Sequence, residues 1–285
     1  MSDFQRVLDV AEQHLLTLKA AGVRFLSVEP LTLSQLREPP PPVLETQAHG
    51  TNGDNGNNGT DAPVPEVQAN GHVEQPPEKD LETAMADLRQ RASVCLKCPH
   101  LVKSRKNVVF GVGDIHAQLM FVGEAPGADE DAQGEPFVGA AGQLLTRIIK
   151  TMGLSRETVY IANILKCRPD TPGQSSGNRK PTADEMKTCL PYLLEQIDLI
   201  RPKVLVALGA TAIEGVLGAG GGISKLRGKF QTFRNIPLMP TFHPAYLLRN
   251  QALTEKRKVW EDMLHAMEKL QLPVSEKQRG YFLKA

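Results

Sequence analysis

The chain has 285 residues, with 33 Lys and Arg against 32 Asp and Glu, seven His and four Cys. A hydrophobic fraction of 41% is enough for a core and excludes global disorder, and no apolar run approaches the roughly 18 residues that a membrane-spanning helix needs. Four cysteines are too few for a disulfide scaffold and suit a reduced chain that uses thiols at a metal site.

The length suggests one large domain or two small ones. MSDFQRVLDV has no basic region followed by an apolar one, so no secretory signal is read and a cytoplasmic protein is expected. The charges are unevenly spread. Residues 39–80 hold seven acids and one base, a balance of −6, and residues 1–38 a balance of −1. With a total of +1, residues 81–285 therefore carry +8. That surplus permits a polyanionic partner without demanding one.

Residues 1–38 read as a short N-terminal helical segment. Phe4, Val7, Leu8, Ala11 and Leu15 recur at helical spacing, and 23–28 has the pattern of a short strand. In 39–80, 18 of 42 residues are Pro, Gly or Asn. Such a segment has too little apolar surface to offset its ordering entropy, and a disordered acidic linker is expected. Residues 81–285 form the main domain. The pattern predicts helices over 81–92, 142–152, 182–200, 210–217 and 254–270. It predicts strands over 119–122, 159–162, 204–208 and 238–242. Thr182 with Glu185 forms a capping box at the start of one helix. Uninterrupted apolar strands between helices imply an α/β fold, a three-layer α/β/α sandwich around a mainly parallel sheet of about four strands. Ligands in such folds sit at the carboxyl ends of the strands. The segments to inspect are therefore 123–131, 163–167, 209 and 243–250.

Cys95 and Cys98 have the spacing of a metal knuckle, and Cys167 and Cys189 are separate singles. The singles could be buried apolar residues. If all four bind one centre, spacing alone leaves zinc and iron–sulfur open. The strand 119–122 runs into GEAPGADED at 123–131, where Gly123 permits close approach to the backbone. Four carboxylates and no lysine make this a poor phosphate cradle. A general-base or water-holding role for Glu124 or Glu130 suits it better, against the plainer reading of a solvated acidic loop. Phe137 lies among small residues and could stack on a flat ligand or serve as core. His243 stands at a strand end, with Pro244 fitted to the first turn of a helix. Tyr246, Leu247, Leu248 and Arg249 then form an apolar and basic tip, either a packing face or a wedge into DNA. Lys225 and Arg227 are candidate phosphate contacts, and ordinary solvated charges are an equal alternative.

Together these segments resemble the family 4 uracil-DNA glycosylases, the iron–sulfur branch of that superfamily. The resemblance covers roughly 81–270. It rests on Cys95-x-x-Cys98, GEAPGADED at 123–131, EPFVGAAGQLL at 135–145, NILKCRP at 163–169, GNRKPT at 177–182, CLPYL at 189–193, VALGATA at 206–212 and FHPAYLLRN at 242–250. It implies a uracil-DNA glycosylase-like fold and a monofunctional hydrolase. Such an enzyme flips uracil from single- or double-stranded DNA, cleaves its N-glycosidic bond and so initiates base excision repair. It implies that Cys95, Cys98, Cys167 and Cys189 hold a [4Fe–4S] cluster. It further implies that Phe137 stacks on uracil, that Asn163 reads its Watson–Crick edge beside Gly123, and that His243 contacts O2. The general-base Asp of the best-known uracil glycosylases is replaced here by Ala125, so Glu124, Glu130 and His243 are the catalytic candidates. The stretch between Cys167 and Cys189 is about six residues longer than usual, through 170–176. A covalently trapping branch carries GEQPG and a His-containing loop, and this chain has neither, so turnover is expected. A monomer with no membrane association is expected, and residues 1–80 are expected to tether a protein partner. The rival readings are a non-catalytic iron–sulfur DNA-binding module and an α/β protein for another small ligand.

Overall fold

The computed structural model describes residues 78–170, 178–218 and 222–283. The chain divides into two units, Met1–Asn70 and Gly71–Ala285, and every described residue belongs to the second. The helix expected within 1–38, the strand at 23–28, the linker up to residue 77 and the 171–176 part of the insertion lie outside the described residues.

Two helices open the domain, α1 (Glu78–Ser93) and α2 (Pro99–Ser104), followed by β1 (Val112–Gly113) and β2 (Leu119–Gly123). Next come α3 (Ala128–Gln133), α4 (Ala140–Thr151), β3 (Tyr160–Asn163), α5 (Ala183–Ile200), β4 (Val204–Leu208), α6 (Ala210–Leu217) and α7 (Ile223–Leu226). The chain then forms β5 (Gln231–Phe233), β6 (Ile236–Thr241), α8 (Pro244–Arg249), α9 (Leu253–Lys269) and α10 (Glu276–Arg279). The six strands make one sheet in the order β1-β3-β2-β4-β6-β5. The central four are parallel, and β1 and β5 pair antiparallel at the two edges. The four parallel strands are those expected from the sequence. The edge strands were not, because two and three residues are too short to show a period.

Alternation along the strands builds two cores. Met120, Val122, Tyr160, Ala162, Leu205 and Ala207 face α1, α5 and α6, where Leu88, Leu193 and Ile213 meet them. Leu119, Phe121, Ile161, Val204, Val206 and Met239 face α4 and α9, where Leu145, Ile149, Trp260 and Met263 close the other layer. This is the three-layer α/β/α arrangement, with the inner strands β2, β3 and β4 buried on both faces. The capping box forms as expected, with the Glu185 N–H donating to Thr182 Oγ1 at 3.2 Å and the Thr182 N–H to Glu185 Oε2 at 2.7 Å.

A buried polar joint fastens α9 to the sheet. Asp262 is fully buried and accepts from Thr241 Oγ1 at 2.7 Å and from Arg227 Nη2 at 2.8 Å. Arg227 also donates to the Lys258 carbonyl and lies 5.6 Å over the Phe242 ring. Removing one partner of a buried ion pair leaves the other charge uncompensated. Asp262→Ala is therefore expected to lower stability by about 3–5 kcal/mol in chemical denaturation, whereas an exposed Asp198→Ala change is expected to be close to neutral.

Candidate active site

The carboxyl ends of the parallel strands gather the polar residues. Gly123 ends β2 and Asn163 ends β3, and the two are register partners. His243 stands two residues beyond β6 as the N-cap of α8. Between them lies a cavity of about 190 Å³ whose walls include Ala125, Glu130, Phe137, Asn163, Asn178 and His243. The topology supports this location, because successive connections from β2 run to opposite sides, to β3 and then to β4.

Three residues make the floor. A Cβ added at Gly123 would stand 2.3 Å from Asn163 Oδ1 and 2.6 Å from Phe137 Cζ, so only glycine fits. Asn163 is 2% exposed, and its Oδ1 has no hydrogen-bond partner within the protein. A buried unpaired acceptor is costly and points to a ligand donor at that spot. Phe137 is buried, and its ring centroid lies 5.6 Å from that of His243.

His243 Nδ1 accepts the Ala245 N–H at 3.1 Å. That bond assigns the ring proton of the neutral imidazole to Nε2, which is then a donor. Desolvation, reinforced by the positive charge of Arg249, holds the pKa down at about 4. The imidazole is neutral at physiological pH.

The acidic segment is mostly structural. Residues 128–133 form α3, a short helix without an apolar period. Glu130 accepts from the Gly127 N–H with one carboxylate oxygen and from the Val138 and Gly139 N–H groups with the other, each at 3.0 Å. It pins the first motif to the Phe137 loop. Buried Asp131 accepts from the Lys106 and Asn107 N–H groups and anchors α3 to the segment after α2. Glu124 is part-buried and is not among the cavity walls. Asn178, which the sequence reading did not single out, does line the cavity. Its Oδ1 is held by Arg168 Nε at 2.9 Å, and its Nδ2 lies on the Gly127 side.

All four cysteines are free and pack against one core cluster, Cys167 and Cys189 buried and Cys95 and Cys98 half-buried. Two donors point at their sulfurs. Arg105 Nη1 lies 3.1 Å from Cys167 Sγ, and the Lys166 N–H lies 3.2 Å from Cys189 Sγ. Burial pushes the Cys189 thiol up to about 11 and raises those of Cys98 and Cys167. Among the described residues, no three His, Cys, Asp or Glu side chains stand close enough to hold a single metal ion. Four thiols gathered on one cluster, two of them with N–H donors directed at their sulfurs, suit a thiolate-held centre.

A family profile described as the uracil DNA glycosylase superfamily matches residues 110–264. A type-4 uracil-DNA glycosylase of Thermotoga maritima is 44% identical over 185 residues, 64% of this chain and 92% of that one. Those of Saccharolobus solfataricus and Sulfurisphaera tokodaii are 45% and 40% identical, over 59% and 70% of this chain and 77% and 90% of theirs. The chain belongs to the type-4 uracil-DNA glycosylase family.

For a type-4 family member, two of the expected DNA contacts fall elsewhere. Leu247 is 5% exposed and packs with Phe242, Val259 and Leu144, so it is core and not a wedge. Leu248 is 38% exposed and stands beside exposed Arg249. Arg227 is held by Asp262, so it is an internal anchor and not a phosphate contact. Lys225 is exposed and stays available.

Behind the floor lies a residue that no periodicity reveals. Lys166 is 1% exposed, and its Nζ donates to the Asn163 carbonyl at 2.9 Å and to Gln196 Oε1 at 2.6 Å. Gln196 Nε2 donates in turn to the Phe110 carbonyl and to Tyr160 Oη. Burial lowers the ammonium pKa to about 7. The type-4 pocket thus has a hydrogen-bonded brace from α5 to the backbone of Asn163.

The His243 geometry fixes a pH response. NMR titration of the native protein is expected to give a midpoint near pH 4 for this ring, against an ordinary 6.5. Between those values the unfolded chain binds a proton that the folded one excludes, so His243 lowers stability as pH falls through this window. In His243→Gln that part of the slope should vanish. A native midpoint at 6 or above would contradict the desolvation that keeps this ring neutral.

Proposed function

We propose that this chain excises uracil from DNA by hydrolysing the N-glycosidic bond, leaving an abasic site and free uracil, and so initiates base excision repair. The observation that carries the reading is the unpartnered Oδ1 of buried Asn163 at the floor of a small cavity between Phe137 and His243. A base in a duplex must leave the stack before its sugar can be attacked. Uracil presents an N3–H donor and an O4 acceptor, which the two ends of the Asn163 amide match. Cytosine presents the reverse pattern and would leave both groups unpaired, a difference that can reach roughly 10⁴. Thymine must be rejected by shape, and the Glu130 carboxylate, tied by three backbone N–H groups, is the rigid wall assigned to that task.

As the C1′–N1 bond breaks, its electron pair passes to uracil and positive charge grows on the sugar. The His243 Nε2–H donates to O2 and stabilises the leaving anion while the ring stays neutral. A water oxygen then bonds to C1′ and releases a proton to solvent, and the departing uracil anion takes up one proton at N1, so the products are the abasic C1′–OH and neutral uracil. With Ala125 in place of a general-base Asp, and with Glu130 engaged by backbone, Asn178 is the cavity side chain left to position that water. The exposed Leu248 is the wedge assigned to the vacated stack, with Arg249 and Lys225 as phosphate contacts.

Cys95, Cys98, Cys167 and Cys189 would hold a [4Fe–4S] cluster, whose thiolate bonds would cross-link the 95–98 knuckle to the strand end and to α5. The protein is assigned as a cytoplasmic monomer. No helix among the described residues is long and apolar enough to cross a membrane. Residues 1–80 are assigned to tethering a protein partner.

The test is base release from end-labelled DNA holding one uracil, followed by alkaline cleavage. Wild type is expected to cleave at that site, with losses of about 10²–10³ in His243→Ala and about 10³ or more in Asn163→Ala. Wild type that binds the DNA but releases nothing would favour a binding module. Loss of neither rate would refute the residue roles. Deleting residues 1–77 is expected to leave the release rate unchanged, and a folded but inactive truncation would sink the tethering assignment.

A further inference from the structure

The stacking residue stands on an unfavourable backbone. Phe137 has φ +55°, in the left-handed region that a non-glycine residue enters at a cost. A phenylalanine has no polar side-chain atom to compensate locally. Two features hold it there. Arg156, in the turn between α4 and β3, donates from Nη1 to the Phe137 carbonyl at 3.1 Å and from Nη2 to the Pro136 carbonyl at 2.7 Å. From the other side, Gly142 backs onto the same peptide so closely that a Cβ there would stand 1.8 Å from the Phe137 oxygen. The ring tip is bounded by Gly123. Glu130 also accepts the Val138 N–H of this peptide, so the ring is fixed by a peptide that Arg156 holds at its carbonyl and Glu130 at its N–H.

We propose that Arg156 is a positioning residue for base recognition, clamping the two carbonyls of the 136–137 turn so that Phe137 presents its face to the flipped uracil. This deepens the uracil reading and rests on it. Arg156 is not among the cavity walls and reaches the site through the carbonyls of the 136–137 turn. A planar fork is needed to reach two successive carbonyls, so lysine does not replace it. Among the described residues its turn, Ser155-Arg156-Glu157, carries no other assigned role.

The test compares holoprotein forms of wild type, Arg156→Ala, Arg156→Lys, Phe137→Ala and the double variant Arg156→Ala/Phe137→Ala. Single-turnover release from a uracil-containing single-stranded oligonucleotide is followed against enzyme concentration, together with inhibition by free uracil. Both Arg156 variants are expected to weaken half-saturation and free-uracil inhibition by about tenfold, with a smaller change in the limiting rate. Guanidinium ion at low millimolar concentration should partly restore Arg156→Ala and do nothing for Phe137→Ala. In the Phe137→Ala background, removing Arg156 should cost nothing more. Additive losses, or wild-type inhibition by uracil in both Arg156 variants, would overturn the proposal. So would loss of the folding transition in both variants, which would make Arg156 a fold staple. Wild type that releases no uracil sinks the functional reading. Wild type that does so, with Arg156→Ala unaffected, sinks only the Arg156 assignment.

Discussion

The parallel pairing of β2 with β3 is the constraint on which the site depends. It sets Gly123 directly beside Asn163 at the carboxyl edge of the sheet. Both strands are buried on both faces, so a one-residue slip would exchange Met120 and Val122 for Phe121 across the two cores. The hydrophobic alternation that makes the fold therefore also fixes where the Asn163 amide points. The pocket is a consequence of core packing, finished by the absence of a Cβ at one position.

Three tethers then convert that edge into a shaped cavity, and each acts on backbone. Glu130 joins the first motif to the Phe137 loop, Arg156 holds the carbonyls of that loop, and Lys166 holds the carbonyl of Asn163. Lys166 links two regions, because its main-chain N–H meets Cys189 Sγ while its ammonium meets Asn163. A buried ammonium is costly unless fully hydrogen-bonded. Its partners here place the cysteine cradle and the base-reading residue on one connected network. On the proposed reading, that connection gives a cluster without bond-breaking duties a physical role in the pocket.

Much of this was legible in the sequence for a simple reason. Gly123, Asn163 and His243 are polar or small residues ending apolar strands, and Cys95-x-x-Cys98 has a spacing with chemical meaning. The residues that were missed or misplaced share a different property. Arg156, Lys166 and Asn178 act through partners some 3–30 residues away, often carbonyls that any residue supplies, so no pattern betrays them. Arg227 reads as a phosphate contact or a solvated cation because its partner, Asp262, lies 35 residues on. Leu247 and Leu248 are adjacent and alike, and only the packing of α8 on α4 decides which is buried. The acidic run 128–131 hid a helix because its apolar period is absent and its caps come from glycines.

Those corrections narrow how the domain could meet a polyanion. A surplus of +8 over 81–285 suggests a broadly basic surface, but many of its cations are engaged inside. Arg105 faces a sulfur, Arg156 two carbonyls, Arg179 meets Glu185, and Arg227 meets Asp262. Arg249, beside Leu248, is exposed and close enough to depress the His243 pKa, while Arg168 meets the cavity through Asn178. One exposed cation next to one exposed apolar side chain, on the short helix that His243 caps, favours local distortion of the strand over broad electrostatic grip. The Arg249 charge also disfavours imidazolium at His243, so the residue that would steer the backbone helps keep the O2 donor neutral.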